Sequence, residues 1–265
     1  VSLSSSLAAL FFALALAAPA AAAPQRVVSL NLCADQFLVL VLPRERIAAL
    51  SPLAEDPTLS AVAEQARGLP RVRPAAEAVL PLKPDLAVAG PWGGRGAAEA
   101  LERRGVPVLR LGLAEGFAAI EEQLLRVGDA VGEAERARAI AAEMRATLVA
   151  IPPRTGDPPR ALVWQARGFA PGRGTLADAV LEAAGFRNAA AHPGYGFIPL
   201  ERLLADPPAL LVTAPRAALP LSRQRSPNHP AIAAAGIRRA VLDPALLACG
   251  SPATAHAAVL LARYR

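Results

Sequence analysis

The chain has 265 residues and a formal charge of +6, and Lys83 is its only lysine, so arginine carries the positive charge. Less a leader, that length suits one large domain or two small ones and is enough to bury a core. The arginines are scattered singly, without the basic runs and interleaved aromatics of a nucleic-acid binder, so the charge reads as a solvated surface and no nucleic-acid partner is expected.

The first element is a leader. An apolar run from Leu7 to Ala18 is followed by small residues ending in an A-x-A pattern, Ala21 to Ala23. This predicts a secretory signal over 1–23, cleaved near Ala23. The run is short for a transmembrane helix, and no stop-transfer segment follows it. An exported chain meets an oxidising compartment, so Cys33 and Cys249 could pair. They could equally be two small buried apolar residues, and the sequence leaves both readings open.

After the leader, short β-like runs alternate with helical ones. Strands are predicted at 26–30, 46–50, 85–90 and 106–111, with helices at 34–42 and 97–104. A long helical region follows, broken near Gly132, and its second part, 133–151, spans roughly 28 Å if helical throughout. The proline-rich segment 152–159 stops it. The alternation then restarts with strands at 161–165, 209–214 and 238–243 and helices at 175–184, near 230–235 and at 252–263. Such alternation argues for parallel α/β layers.

The restart has the form of an internal repeat. Laid over one another, "EAVLPLKPDLAVAGP" (77–91) and "ERLLADPPALLVTAP" (201–215) share Glu77/Glu201, Leu80/Leu204, Pro84/Pro208, Leu86/Leu210, Val88/Val212 and Pro91/Pro215. The openings "RVVSLN" and "RALVWQ" also correspond. The fold class is therefore α/β, with two Rossmann-like lobes joined by a single long helix and a ligand cleft between them. The divisions are an N-terminal lobe over 24–113, a helical region over 114–151 and a C-terminal lobe over 152–265. Ligands of open α/β sheets sit beyond the carboxyl ends of the strands, and clefts between domains are favoured sites.

The glycine-rich stretch "AGPWGGRG" looks like a phosphate loop but fails the test. Glu99 stands where the third glycine of G-x-G-x-x-G belongs, and Arg110 and Leu111 stand where an acid is needed. His192, His229 and His256 are too widely spaced to suggest a metal site. No nucleophile elbow occurs, so no enzyme chemistry and no cofactor are expected. The aromatic residues say more. Trp92 follows a strand in the first lobe and Trp164 ends one in the second, so both are expected to face the cleft, with Phe169, Tyr195 and Phe197 in loops on the same side. Glu77 and Glu201 each open a helix, a position the helix dipole favours for a carboxylate.

Together these features resemble the helical-backbone family of periplasmic substrate-binding proteins, in the branch serving ABC importers of vitamin B12 and ferric siderophores. The likeness is carried by "RVVSLNLCADQFLVLVLPRERIAALS", "GLPRVRPAAEAVLPLKPDLAVAG", "RRGVPVLRL", "GRGTLADAVLEAAGFRNAA" and "CGSPATAHAAVLLA". It implies a periplasmic location, a connecting helix at about 133–151, and a shallow cleft that closes only slightly. It also implies docking of Glu77 and Glu201 on arginines of the permease, although "DPPAL" replaces K-P-D-L in the second copy. The implied ligand is a bulky metal chelate, a corrinoid or ferric siderophore, bound by a monomer. Cleft candidates are Asn31, Leu32, Ser51, Pro52, Trp92, Trp164, Phe169 and Tyr195. Haem is the alternative, since haem-binding relatives often use tyrosine and Tyr195 is available. Arg95, Arg167 and Arg173 would suit hydroxamate or catecholate complexes. A periplasmic enzyme or a stand-alone sensor on the same scaffold is the competing class.

Overall fold

The structure is a computed structural model and describes residues 22–215 and 229–265, so almost all of the expected signal segment lies outside the described residues. The first lobe contains β1 (Val27–Ser29), α1 (Leu32–Val41), β2 (Ile47–Ala49), α2 (Ala63–Ala66), α3 (Ala76–Val79), β3 (Leu86–Ala89), α4 (Arg95–Glu102) and β4 (Val108–Arg110). Its strands form a parallel sheet in the order β2-β1-β3-β4. Two antiparallel helices follow, α5 (Phe117–Val131) and α6 (Ala134–Val149). The second lobe contains β5 (Arg160–Val163), β6 (Phe169–Pro171), α7 (Leu176–Ala183), β7 (Arg187–Asn188), β8 (Tyr195–Phe197), α8 (Leu200–Ala205) and β9 (Leu210–Thr213). It ends with α9 (Pro230–Ala234), β10 (Arg239–Val241), α10 (Ala245–Ala248) and α11 (Thr254–Ala262). Its main sheet is parallel in the order β10-β9-β5-β7, and β6 and β8 form a separate antiparallel ribbon.

The repeat seen in sequence is repeated in register. Leu86 opens β3, and its aligned partner Leu210 opens β9. The residue just past the central strand makes the same bond in each lobe: Leu30 N donates to Val88 O at 2.9 Å, and Trp164 N donates to Val212 O at 2.9 Å. β3 and β9 are buried along their whole length. Parallel strands covered on both faces read as continuous apolar runs, which is why these two were the easiest to find.

α6 is the expected connecting helix, but it does not stand alone. Gly132, at φ 73°, reverses the chain after α5, a left-handed turn that favours glycine. α6 then runs back along α5, with Ala137, Ala141 and Met144 on its buried face. The close approach depends on Gly128, where a Cβ would lie 2.4 Å from the Cβ of Ala137. The lobes also share apolar packing, since Leu176 and Ala255 of the second lobe belong to the same cluster as Val27, Phe37 and Leu124.

One buried acid ties the first lobe together at its strand ends. Asp35 on α1 is fully buried and accepts from Ser51 N at 2.9 Å and from the Ser51 hydroxyl. Ser51 follows β2, so this pair fixes α1 to the exit of its neighbouring strand. Burial raises the Asp35 pKa, opposed by hydrogen bonds from Ser29 and Ser51.

Two outcomes follow. Gly128→Ala should lower stability by about 1–3 kcal/mol through overpacking, read from a chemical denaturation midpoint. Asp35 holds its proton more tightly folded than unfolded, so its contribution to stability is complete below the unfolded pKa of about 4 and is lost as pH rises through the folded value. Asp35→Asn should therefore remove that decline from the profile of stability against pH; an unchanged decline would assign it to other groups.

Candidate functional site

The carboxyl ends of both sheets face the junction of the lobes, and the loops leaving them build the site. In the first lobe the central piece is Asn31, the N-cap of α1. Its Oδ1 accepts from Ala34 N at 3.0 Å, and its Nδ2 donates to Trp92 O at 2.7 Å. The amide occupies the space beside Gly90, where a Cβ would lie 2.3 Å from Nδ2. Gly93 and Gly94 then take φ of 75° and 69° and turn the chain into α4. The glycine-rich loop is thus a turn that wraps Asn31 and leaves the Trp92 side chain 66% exposed.

The second lobe supplies an aromatic plate. Across the β6/β8 ribbon, Phe169 pairs with Phe197, and Pro171 with Tyr195. Phe169 stacks on Tyr195 with centroids 5.8 Å apart and meets Phe197 edge-on at 5.6 Å. Tyr195 and Phe197 nevertheless remain exposed, at 52% and 68%. A large apolar surface kept in solvent by backbone pairing marks an interaction site. Arg167, on the approach to the ribbon, is held at φ 61°, an uncommon conformation for a residue with a side chain.

A slot of about 80 Å³ runs between Trp92 and Tyr195, lined also by Leu113, Glu115, Leu176 and the bonded pair Cys33 and Cys249. Leu247 and Ala248 of α10 separate it from a second hollow of about 270 Å³ over the ends of β5 and β9, lined by Leu59, Val163, Gln165 and Thr213. Burial, then the neighbouring Glu115 carboxylate, raises the Tyr195 pKa, so the phenol keeps its proton. Two larger hollows lie elsewhere. One of about 700 Å³ is bounded by α1, α6 and the start of α11; one of about 440 Å³ lies on the second lobe beside Arg160, Arg187 and Arg202. Neither is edged by the exposed aromatic residues.

Several expected positions move. Trp164 does not face the cleft: it is 1% exposed, and its Nε1 donates to Ile198 O at 2.9 Å. It occupies the place that Leu30 fills in the first lobe, a core position set by the strand register. Phe169, Tyr195 and Phe197 lie on the β6/β8 ribbon rather than in loops. Asn31 and Ser51 are buried and serve the loops from within. Leu32 is half-buried and Pro52 exposed, and neither lines the two cleft hollows. Arg95, exposed at the start of α4, and Arg167, exposed in the turn before β6, are close in sequence to Trp92 and Phe169, whereas Arg173 borders the 440 Å³ hollow. Leu113, Glu115, Leu247 and Ala248 have no sequence signal, because each enters the slot only through lobe packing.

The remaining polar candidates are dispersed. The His192 ring lies beneath the ribbon against Gly172 and Gly196, and His229 caps α9. Among the described residues no group of three His, Cys, Asp or Glu is placed to hold a metal ion. Glu77 and Glu201 are exposed in the first turns of α3 and α8, without an ion-pair partner among the described residues.

The profile of the periplasmic binding protein family matches residues 27–233. Comparison with curated proteins found no match. Among solved structures, a periplasmic haem-binding protein from Pseudomonas aeruginosa is 30% identical, with a TM-score of 0.72 over 91% of this chain and 92% of that one. The periplasmic haem-binding protein HutB of Vibrio cholerae superposes with a TM-score of 0.74 at 16% identity, over 90% of this chain and 98% of that one. The vitamin B12 binding protein BtuF of Vibrio cholerae gives 0.68 at 20% identity, over 91% and 96%. At these lower identities the likeness concerns the fold. With two repeated α/β lobes, a slot at their strand ends and a family profile covering most of its length, the chain belongs to the periplasmic binding protein family.

Proposed function

We propose that this protein captures a metal chelate in the periplasm, a flat tetrapyrrole, and delivers it to an ABC importer without covalent chemistry. The observation that carries the reading is a pair of exposed aromatic residues on opposite lobes, Trp92 and Tyr195, on the two sides of a narrow slot, with Phe169 stacked on Tyr195 behind it. A planar macrocycle offers two apolar faces to such walls, and aromatic stacking rewards that geometry. The described carboxylates and histidines, which form no metal-holding group, suit a ligand that brings its own chelating atoms. Haem is favoured over a corrinoid or a siderophore complex on two grounds. The relative at 30% identity is a haem-binding protein. Tyr195 also places a phenol, an oxygen donor suited to ferric iron, in the slot. Arg95, exposed at the start of α4, and Arg167, exposed in the turn before β6, would favour an anionic edge on the ligand.

Glu77 and Glu201 open short helices at equivalent points of the two lobes. With no ion-pair partner among the described residues, they are available to meet cations of a permease, and their repeat symmetry suits a transporter with two similar halves. The two Glu side chains therefore serve docking, and the aromatic slot serves capture.

Tryptophan-fluorescence titration against haem, cyanocobalamin and ferric siderophores tests the first role. Haem should quench strongly, and Trp92→Ala should weaken its binding at least tenfold; no response to any of the three ligand classes would overturn the reading. Glu77→Arg combined with Glu201→Arg should abolish uptake in cells while leaving ligand affinity within twofold. Unimpaired uptake would remove the docking assignment.

A further inference from the structure

We propose that the Cys33–Cys249 disulfide determines ligand specificity by fixing the width of the slot, so that a flat ring enters edge-on and a globular chelate does not. This rests on the reading of the cleft as a chelate site. The bond joins the first turn of α1 in one lobe to the residue just after α10 in the other, with the two Cα atoms 5.3 Å apart. Each end is attached to a wall. On the first lobe, Asn31 lies two residues before Cys33 and holds the Trp92 turn by its amide, with no room at Gly90 for adjustment. On the second lobe, Leu247, Ala248 and Gly250 flank Cys249 and line the slot. Gly250 lies so close to the segment leading from the first lobe into α5 that a Cβ there would be 2.4 Å from Ala114 O.

The bridge therefore lies within one or two residues of surfaces on both sides of the opening. The remaining packing between the lobes is non-covalent, through residues such as Leu176 and Ala255. Packing of that kind yields to a ligand that repays the opening, as domain interfaces commonly do. A covalent bond across the floor does not yield. The slot of about 80 Å³ admits the edge of one ring system, while a globular complex needs the lobes to part. Asn31 is on this view a positioning residue: it acts through Trp92 and carries the constraint of the bridge to the wall.

The test compares the wild-type protein with Cys33→Ala/Cys249→Ala, using haem as the planar probe and a ferric trihydroxamate complex as the globular one. Wild type should prefer haem, and the double variant should lose at least tenfold of that preference, with circular dichroism unchanged. An unchanged affinity ratio in a folded variant overturns the proposal. Asn31→Ala, with the bridge intact, gives a second readout if the double variant fails to fold. It should raise acrylamide quenching of exposed Trp92 against buried Trp164 and lower haem affinity severalfold; unchanged quenching and affinity would overturn the proposal. Wild type that binds neither probe defeats the chelate reading itself, and a wild type that binds haem with a ratio indifferent to the bridge defeats only the specificity claim.

Discussion

A parallel sheet covered on both faces leaves a ligand only the strand ends, and this constraint organises the molecule. β1, β3 and β9 are buried along their whole length, and β5 is buried beyond Arg160 at its start, so these strands offer a ligand little along the sheet. What a ligand meets is the loops that follow. Those loops must be irregular enough to display side chains and stiff enough to keep them in place. The first lobe solves this with one amide: Asn31 starts a helix with its oxygen and anchors the Trp92 turn with its nitrogen. The second solves it with backbone pairing, spending a two-stranded ribbon to display three aromatic rings.

The two lobes are alike in their frame and different in their display. Their strand orders correspond, and their central strands make the same bond at the same point. Beyond that bond they diverge. Leu30 leads directly into α1, whereas Trp164 leads into the Gln165–Phe169 turn and the ribbon. Duplication explains the shared architecture, while the added ribbon makes one wall a single tryptophan and the other a plate of three rings.

The strands and long helices were legible in the sequence because their signal is local: buried parallel strands are apolar runs, and α5 and α6 have helical periodicity with a glycine between them. The repeat was legible because Leu86 and Leu210 open equivalent strands in a common alignment. The ribbon was not, since three-residue strands carry almost no pattern, and Tyr-Gly-Phe reads as a loop. Trp164 was misplaced because an aromatic residue at a strand end suits either a core or a cleft. Only the register, in which it takes the place of Leu30, decides between them. Glu115 and α10 became part of the site through packing of one lobe on the other, which no single segment encodes. The glycines after β3 were conspicuous but suggested a phosphate; the actual reason for Gly90 is the Asn31 amide beside it, 59 residues earlier in the chain.

The bridge has a further consequence for how the protein is made. Its two cysteines are 216 residues apart, and only α11 follows the second. Synthesis from the amino end makes Cys33 long before its partner. The link closes only after every strand of both sheets has been made, and contacts so distant in sequence carry a large loop-closure cost. The link therefore depends on the compartment as well as on the fold: it needs both lobes made and an oxidising environment, which the reducing cytoplasm does not provide.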